Sequence, residues 1–228
     1  MVRFQRNDSV ATFQDFIQQV YGLPDDRLYS IWDLLAQQQR FTMRALKGIR
    51  KGEPQKLEAN LLIALAWLAA IANRLHINLA EALWRRFPRR CSYCGRRPCA
   101  CGRIHPVKRK ELRPGAARRP KTFAAFQAMF RQIYPPERRT LERAGVHLAE
   151  EMGEVAEALS NYLGQHQELQ FEQIKQEAAD FISCLFGVAN SAGIDVAGEL
   201  ARMFHLNCHV CHRAPCVCTF TFVTRVKT

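Results

Sequence analysis

Long apolar runs are scarce in this chain. The longest, residues 61–72, falls well short of the roughly 20 residues that a membrane-spanning helix requires. It predicts a buried helix and no membrane partner. Residues 1–10 carry Arg3, Arg6 and Asp8 and no apolar block, which argues against a secretory leader and for a cytoplasmic protein. Strand-like alternation is also lacking, apart from residues 219–226, so the chain reads as all-α. Acidic side chains are in deficit, 21 against 33 lysines and arginines. The deficit is uneven. Basic residues outnumber acidic ones by nine in residues 1–105 and by six in residues 106–121, but are outnumbered by three in residues 122–228. Halves of opposite sign suggest that they face one another or share an anionic ligand at least as readily as they suggest a nucleic-acid partner.

Cysteine is abundant, with nine residues, eight of them in two tight clusters. Without a leader, that clustering points to metal binding in a reducing compartment rather than to a disulfide scaffold. Cys184 stands apart in an apolar run and predicts a small buried thiol. The clusters expose an internal repeat. An offset of 117 carries Cys91, Cys94, Cys99 and Cys101 onto Cys208, Cys211, Cys216 and Cys218, and also Asn73 onto Asn190 and Phe87 onto Phe204. Nearer the start, an offset of 113 pairs Leu35-Ala36 with Leu148-Ala149, and one of 110 pairs Thr12-Phe13 with Thr122-Phe123. The chain thus divides into a first copy (1–105), a basic linker (106–121) whose composition predicts a solvated spacer, and a second copy (122–228).

Each copy reads as four helices. In the second, Thr122 can cap a short helix that Pro135-Pro136 ends, and an apolar stripe from about Glu137 to Leu163 makes the next, with Gly164 turning the chain. A third helix spans about Gln170 to Ser191 and stops at Gly193, and Asp195 caps a fourth.

Carboxylates mark the second and third of these helices. Glu151 and Glu154 are three residues apart, as are Glu177 and Asp180, so each pair shares a helix face. Two such helices side by side gather four acids, which a hard divalent cation would hold together; solvated helix faces are the plainer alternative. The pattern Glu150-Glu151, Glu154, then Glu177 and Asp180 after 22 intervening residues resembles the EExxE…ExxD signature of the MazG-like all-α NTP pyrophosphatases. The resemblance covers about residues 122–206. It implies Mg²⁺-dependent hydrolysis of a nucleoside triphosphate to monophosphate and pyrophosphate. Glu151, Glu154, Glu177 and Asp180 would be the metal ligands, and Glu150 a residue orienting water. It also implies a core built from paired units, here an intrachain pseudo-dimer of two four-helix repeats, and allows a homodimer of the chain. One departure is that the family's Asn-x-Lys-Phe stretch is replaced by Phe204-His205-Leu206-Asn207, leaving the phosphate-binding cation to come from elsewhere. His147, four residues before Glu151, is read as a surface histidine.

The first copy has lost the acids. Gln37, Gln38 and Phe41 stand where the second has Glu150, Glu151 and Glu154, and Asn60 and Ile63 replace Glu177 and Asp180. Its second helix carries a stripe of Arg40, Arg44, Lys47 and Lys51, which could reach the acidic half and bind phosphate or could simply be solvated. Both cysteine clusters have the form C-x2-C-x4-C-x-C, four soft ligands suited to one structural Zn²⁺ each, with an iron–sulfur cluster as the rival. Because both copies keep this knuckle, it is expected to serve architecture rather than catalysis. The alternative to an enzyme is a zinc-containing nucleic-acid-binding or regulatory protein on a retired scaffold, with Arg96, Arg97 and Arg213 as contacts.

Overall fold

A computed structural model describes residues 3–110, 112–114 and 118–225. Among them the regular structure is helical, with no strand. The first half runs α1 (Val10–Leu28), α2 (Ile31–Lys51), α3 (Pro54–Arg74) and α4 (Leu79–Arg86), then a cysteine knuckle ending in the single turn α5 (Cys101–Ile104). The second half follows the same order with α6 (Phe123–Ile133), α7 (Leu141–Gln165), α8 (Glu168–Ala192) and α9 (Val196–Met203), then the second knuckle and α10 (Phe220–Arg225).

Local chemistry explains most boundaries. Thr122 accepts the Ala125 N–H at 3.1 Å to start α6, and Ser30 with Asp33 forms a reciprocal cap on α2. Gly193, at φ +73°, ends α8 where a side chain would be strained. Three expectations shift. α7 begins at Leu141, because Pro136–Arg138 form a 3₁₀ turn and Thr140 is the cap. The chain turns at His166 (φ +52°) rather than Gly164, which stays helical. The tail is helical rather than extended: with no neighbouring strand, its amides bond inward, Val223 N–H to the Thr219 carbonyl at 3.0 Å.

α2–α3 and α7–α8 are helical hairpins laid together, α2 against α7 and α3 against α8, with α1 covering α3 and α6 covering α8. α4 crosses from the first half onto α8. α3 is long and apolar enough to cross a membrane, yet 72% of its apolar window is buried inside the fold. One core runs through both halves, tied by edge-on phenylalanine pairs such as Phe13–Phe123 (5.5 Å) and Phe87–Phe130 (5.1 Å). Opposite charges also meet across the halves, as Arg6–Asp195, Arg202–Glu58 and Arg86–Asp180.

The first helices correspond at an offset of 113, not 110. Ser9 caps α1 as Thr122 caps α6, whereas Thr12 lies inside the first turn. Gln14 donates through Nε2 to the Ile77 carbonyl and accepts the Leu79 N–H, while Gln127 donates to the Ile194 carbonyl and accepts the Val196 N–H. The knuckles correspond too, and each reaches across the molecule. Cys99 N–H donates to the Ile133 carbonyl of α6 at 2.8 Å, and Cys216 N–H to the Val20 carbonyl of α1 at 2.7 Å.

Candidate active site

α7 and α8 bring Glu151, Glu177 and Asp180 together, each with a carboxylate oxygen within 4.8 Å of the others. Their helical spacing turns all three toward the shared hairpin interface. Glu151 Oε2 and Glu177 Oε2 are buried and have no hydrogen-bond partner among the described residues. Burial and mutual repulsion push the Glu151 carboxyl up to about 8 and Glu177 up to about 7. Asp180 rises to about 6, burial outweighing the pull of Arg86. Orphaned buried oxygens whose charge is costly fit a hard cation that would neutralise them. Glu154 is exposed and lies against Glu177, outside this tight trio, and Glu150 is exposed on the same helix.

Two of the three, Glu151 and Asp180, border an open cavity of about 860 Å³ that is also lined by cationic side chains. Arg143 and His147 precede Glu151 along α7 at intervals of four residues and so share its face, and Arg139, just before the helix, lines the same cavity. Arg139 lies over the Tyr134 ring and sits on Gly187, where a Cβ would overlap its guanidinium. Its Nε and Nη2 are buried without partners among the described residues, and burial lowers its pKa. The first half and the linker supply cations that pair with the acids. Arg86 of α4 binds Asp180 through Nε and Nη2 (2.5 Å to Oδ2), and Arg109 reaches the same oxygen at 2.6 Å. Arg109 also stacks on Tyr93 of the first knuckle, 4.8 Å from the ring centre. The linker is therefore anchored where residues 106–121 predict a solvated spacer: Arg119 pairs with Glu81, and the Arg118 carbonyl accepts from Arg89.

The stripe on α2 lies elsewhere. Arg40 and Arg44 flank the Phe41 ring at 5.1 and 5.4 Å, Lys47 and Lys51 are exposed, and none of the four lines the acidic cavity. Arg86 and Arg109, which do the facing, carry no signal in the sequence, since their partner Asp180 lies far along the chain. The Arg139–Arg143–His147–Glu151 series is visible there as a four-residue spacing. Cys184 is half-buried on the cavity wall rather than sealed in the core, and burial raises its thiol pKa.

At the corresponding place in the first half the space is filled. Phe41, Ile63 and Trp67 close it to an apolar cavity of about 70 Å³, which the tail covers with Phe220 on Tyr29 and with Val223. Gln38 is fully buried there and bonds Thr42. Asp25 lines this cavity, and burial raises its carboxyl to about 7 against the opposing pull of Arg74. A carboxyl protonated up to about 7 when folded, but only to about 3.8 when unfolded, makes stability fall as pH rises through that window. The full shift corresponds to roughly 4 kcal/mol. Asp25→Asn is expected to raise the melting temperature above wild type at pH 8 and to match it near pH 4. Parallel melting curves across that range would refute the assignment.

Each knuckle gathers four thiols that could hold one zinc ion. Their closest sulfur pairs are 3.5–4.0 Å apart: 3.6 Å for Cys91–Cys101, 4.0 Å for Cys94–Cys99, 3.8 Å for Cys211–Cys216, 4.0 Å for Cys208–Cys218 and 3.5 Å for Cys208–Cys216. A tetrahedral ion with bonds of about 2.3 Å spaces its sulfurs about 3.8 Å apart. A multi-iron cluster spreads its thiolates over several irons and needs wider spacing. Hydrogen bonds from the neighbouring thiols of Cys99 and Cys216 lower the thiol pKa values of Cys91 and Cys208. Only the first knuckle borders the large cavity, through Cys91, Cys99 and Cys101; Cys208, Cys216 and Cys218 border the small one.

No protein-family model, curated protein or solved structure matches this chain.

Proposed function

We propose that this chain is a MazG-like nucleoside triphosphate pyrophosphohydrolase, a tandem pseudo-dimer whose second repeat carries the only retained active site. One observation carries the reading: three carboxylates, buried Asp180 and half-buried Glu151 and Glu177, each of the latter two with an unpartnered buried oxygen, converge beside a cavity lined in part by arginines. That juxtaposition suits a polyphosphate bridged to a divalent cation. The carboxylates of Glu151, Glu177 and Asp180 would hold Mg²⁺, with Glu154 completing the set through its contact with Glu177. When bound, Mg²⁺ neutralises phosphate oxygens and makes the attacked phosphorus more electrophilic. Arg139 and Arg143, at the positive end of α7, would bind the phosphate chain, and Arg109 would do so from the opposite wall, while Arg86 holds Asp180. Glu151 would ligate the cation through one oxygen and take the attacking water's proton at the other, with Glu150 outside as an electrostatic neighbour. The reduced cysteine clusters suit a cytoplasmic setting.

Pyrophosphate release from a panel of ribo-, deoxyribo- and base-modified triphosphates, followed with Mg²⁺ and a coupled inorganic pyrophosphatase, tests the proposal. Turnover of at least one to the monophosphate is expected. No turnover of any, together with steeply salt-dependent retention of DNA or RNA, would replace the enzyme with a nucleic-acid-binding protein.

A further inference from the structure

We infer that the first cysteine knuckle is a metal-held part of the anion site, and that the second, of identical spacing, is not. The inference rests on the reading of the cavity as a polyphosphate site and assigns that site a positioning element. The first knuckle lies across the molecule from its own repeat, docked on α6 by the Cys99–Ile133 hydrogen bond. Three of its thiols border the cavity, and the chain leaving it carries Arg103, His105 and Arg109 along the same wall. Tyr93, which lies between Cys91 and Cys94 in the chain, holds the Arg109 guanidinium on its ring, and the Tyr93 carbonyl accepts the Lys110 N–H at 3.3 Å. Arg109 then meets Asp180. A continuous series of contacts thus runs from the four thiols through Tyr93 and Arg109 to a carboxylate of the acidic trio.

The second knuckle provides the internal control. It docks on α1 through the equivalent Cys216–Val20 bond, but Val210 occupies the place of Tyr93, and the cavity beside it is small, apolar and covered by the tail. With a cation folding each loop, loss of the first ion frees Tyr93 and Arg109, whereas loss of the second disturbs only packing.

The test measures binding of inorganic tripolyphosphate with Mg²⁺ by calorimetry, alongside zinc content and circular dichroism, in the full chain. Cys94→Ser and Cys211→Ser occupy equivalent positions, and each is expected to lose one of two zinc ions. Cys94→Ser is expected to weaken tripolyphosphate binding about tenfold, the usual effect of losing one charge-assisted contact, while Cys211→Ser binds as wild type. Arg109→Ala should reproduce the weakening with both zinc ions retained, and combining it with Cys94→Ser should add little. Tyr93→Leu, which keeps all the cysteines, is expected to weaken binding several-fold and serves if Cys94→Ser does not fold. Equal weakening by the two cysteine variants, unchanged binding in Arg109→Ala or Tyr93→Leu, or no binding by wild type would overturn the inference. If this binding pattern holds but no nucleotide is hydrolysed, the hydrolase reading fails while the positioning role stands. Hydrolysis without the pattern has the opposite meaning.

Discussion

Under the proposed function, Glu151→Gln and Asp180→Asn are each expected to lower kcat on the order of 10²–10³-fold, the range seen when one preorganised electrostatic contact is lost. Both changes keep side-chain volume and remove the charge that a divalent cation would bind. Neither should unfold the protein. Glu151 has an unpartnered buried oxygen and a carboxyl pushed up to about 8, so an uncharged amide there relieves repulsion in the metal-free chain. Asp180 differs, because its loss leaves Arg86, only 13% exposed, without its carboxylate partner. Asp180→Asn should therefore cost some stability along with activity, and melting curves would separate the two effects. Glu154→Gln is expected to have a smaller effect on kcat, because Glu154 is exposed and its field is screened. Steady-state kinetics over a range of Mg²⁺ concentrations checks the ranking. A Glu154 defect as large as that of Glu151 would mean that the cation sits further out than the trio implies.

Gln127→Ala is expected to destabilise the fold by about 3 kcal/mol, since a buried polar group left unpaired costs about 1–3 kcal/mol and two are affected. The Gln127 amide donates to the Ile194 carbonyl at 2.7 Å and to Asn190 Oδ1 at 3.1 Å, and accepts the Val196 N–H at 3.1 Å. It thereby joins α6 to the turn between α8 and α9. At about 2–4 °C per kcal/mol for a chain of this size, the melting temperature should fall by roughly 10 °C. Gln14→Ala should have a similar effect, because its side chain bonds the Ile77 carbonyl and the Leu79 N–H in the same form. Gln127→Met keeps the volume and removes the hydrogen bonds. A methionine variant melting with wild type would show that packing, not the polar lock, holds this turn.

Much of the architecture is legible in the residues alone. Helical periodicity, the caps at Thr122 and Asp195, and the stops at Pro135 and Gly193 place the helices of the second half to within a few residues. The failures have local physical causes. Thr12 and Thr122 match by letter, yet one lies inside a helix and the other caps one. The tail alternates like a strand, but among the described residues no strand stands beside it to take its hydrogen bonds.

The site divides along the same line. Residue identity and spacing determined which carboxylates share a helix face and which thiols can close on one ion, because both depend on contacts a few residues apart in the chain. The same spacing proposes Glu154 as an equal of Glu151, and only the folded hairpin sets it at the rim. Which cations meet those acids was decided by tertiary structure, through the crossing of α4 onto α8 and the return of the linker that carries Arg109. The two knuckles of identical spacing likewise differ in what each is laid against: an open cavity lined in part by arginines for the first, a space filled by Phe41, Ile63 and Trp67 for the second. Local spacing can specify a ligand set, but long-range packing settles what that set faces.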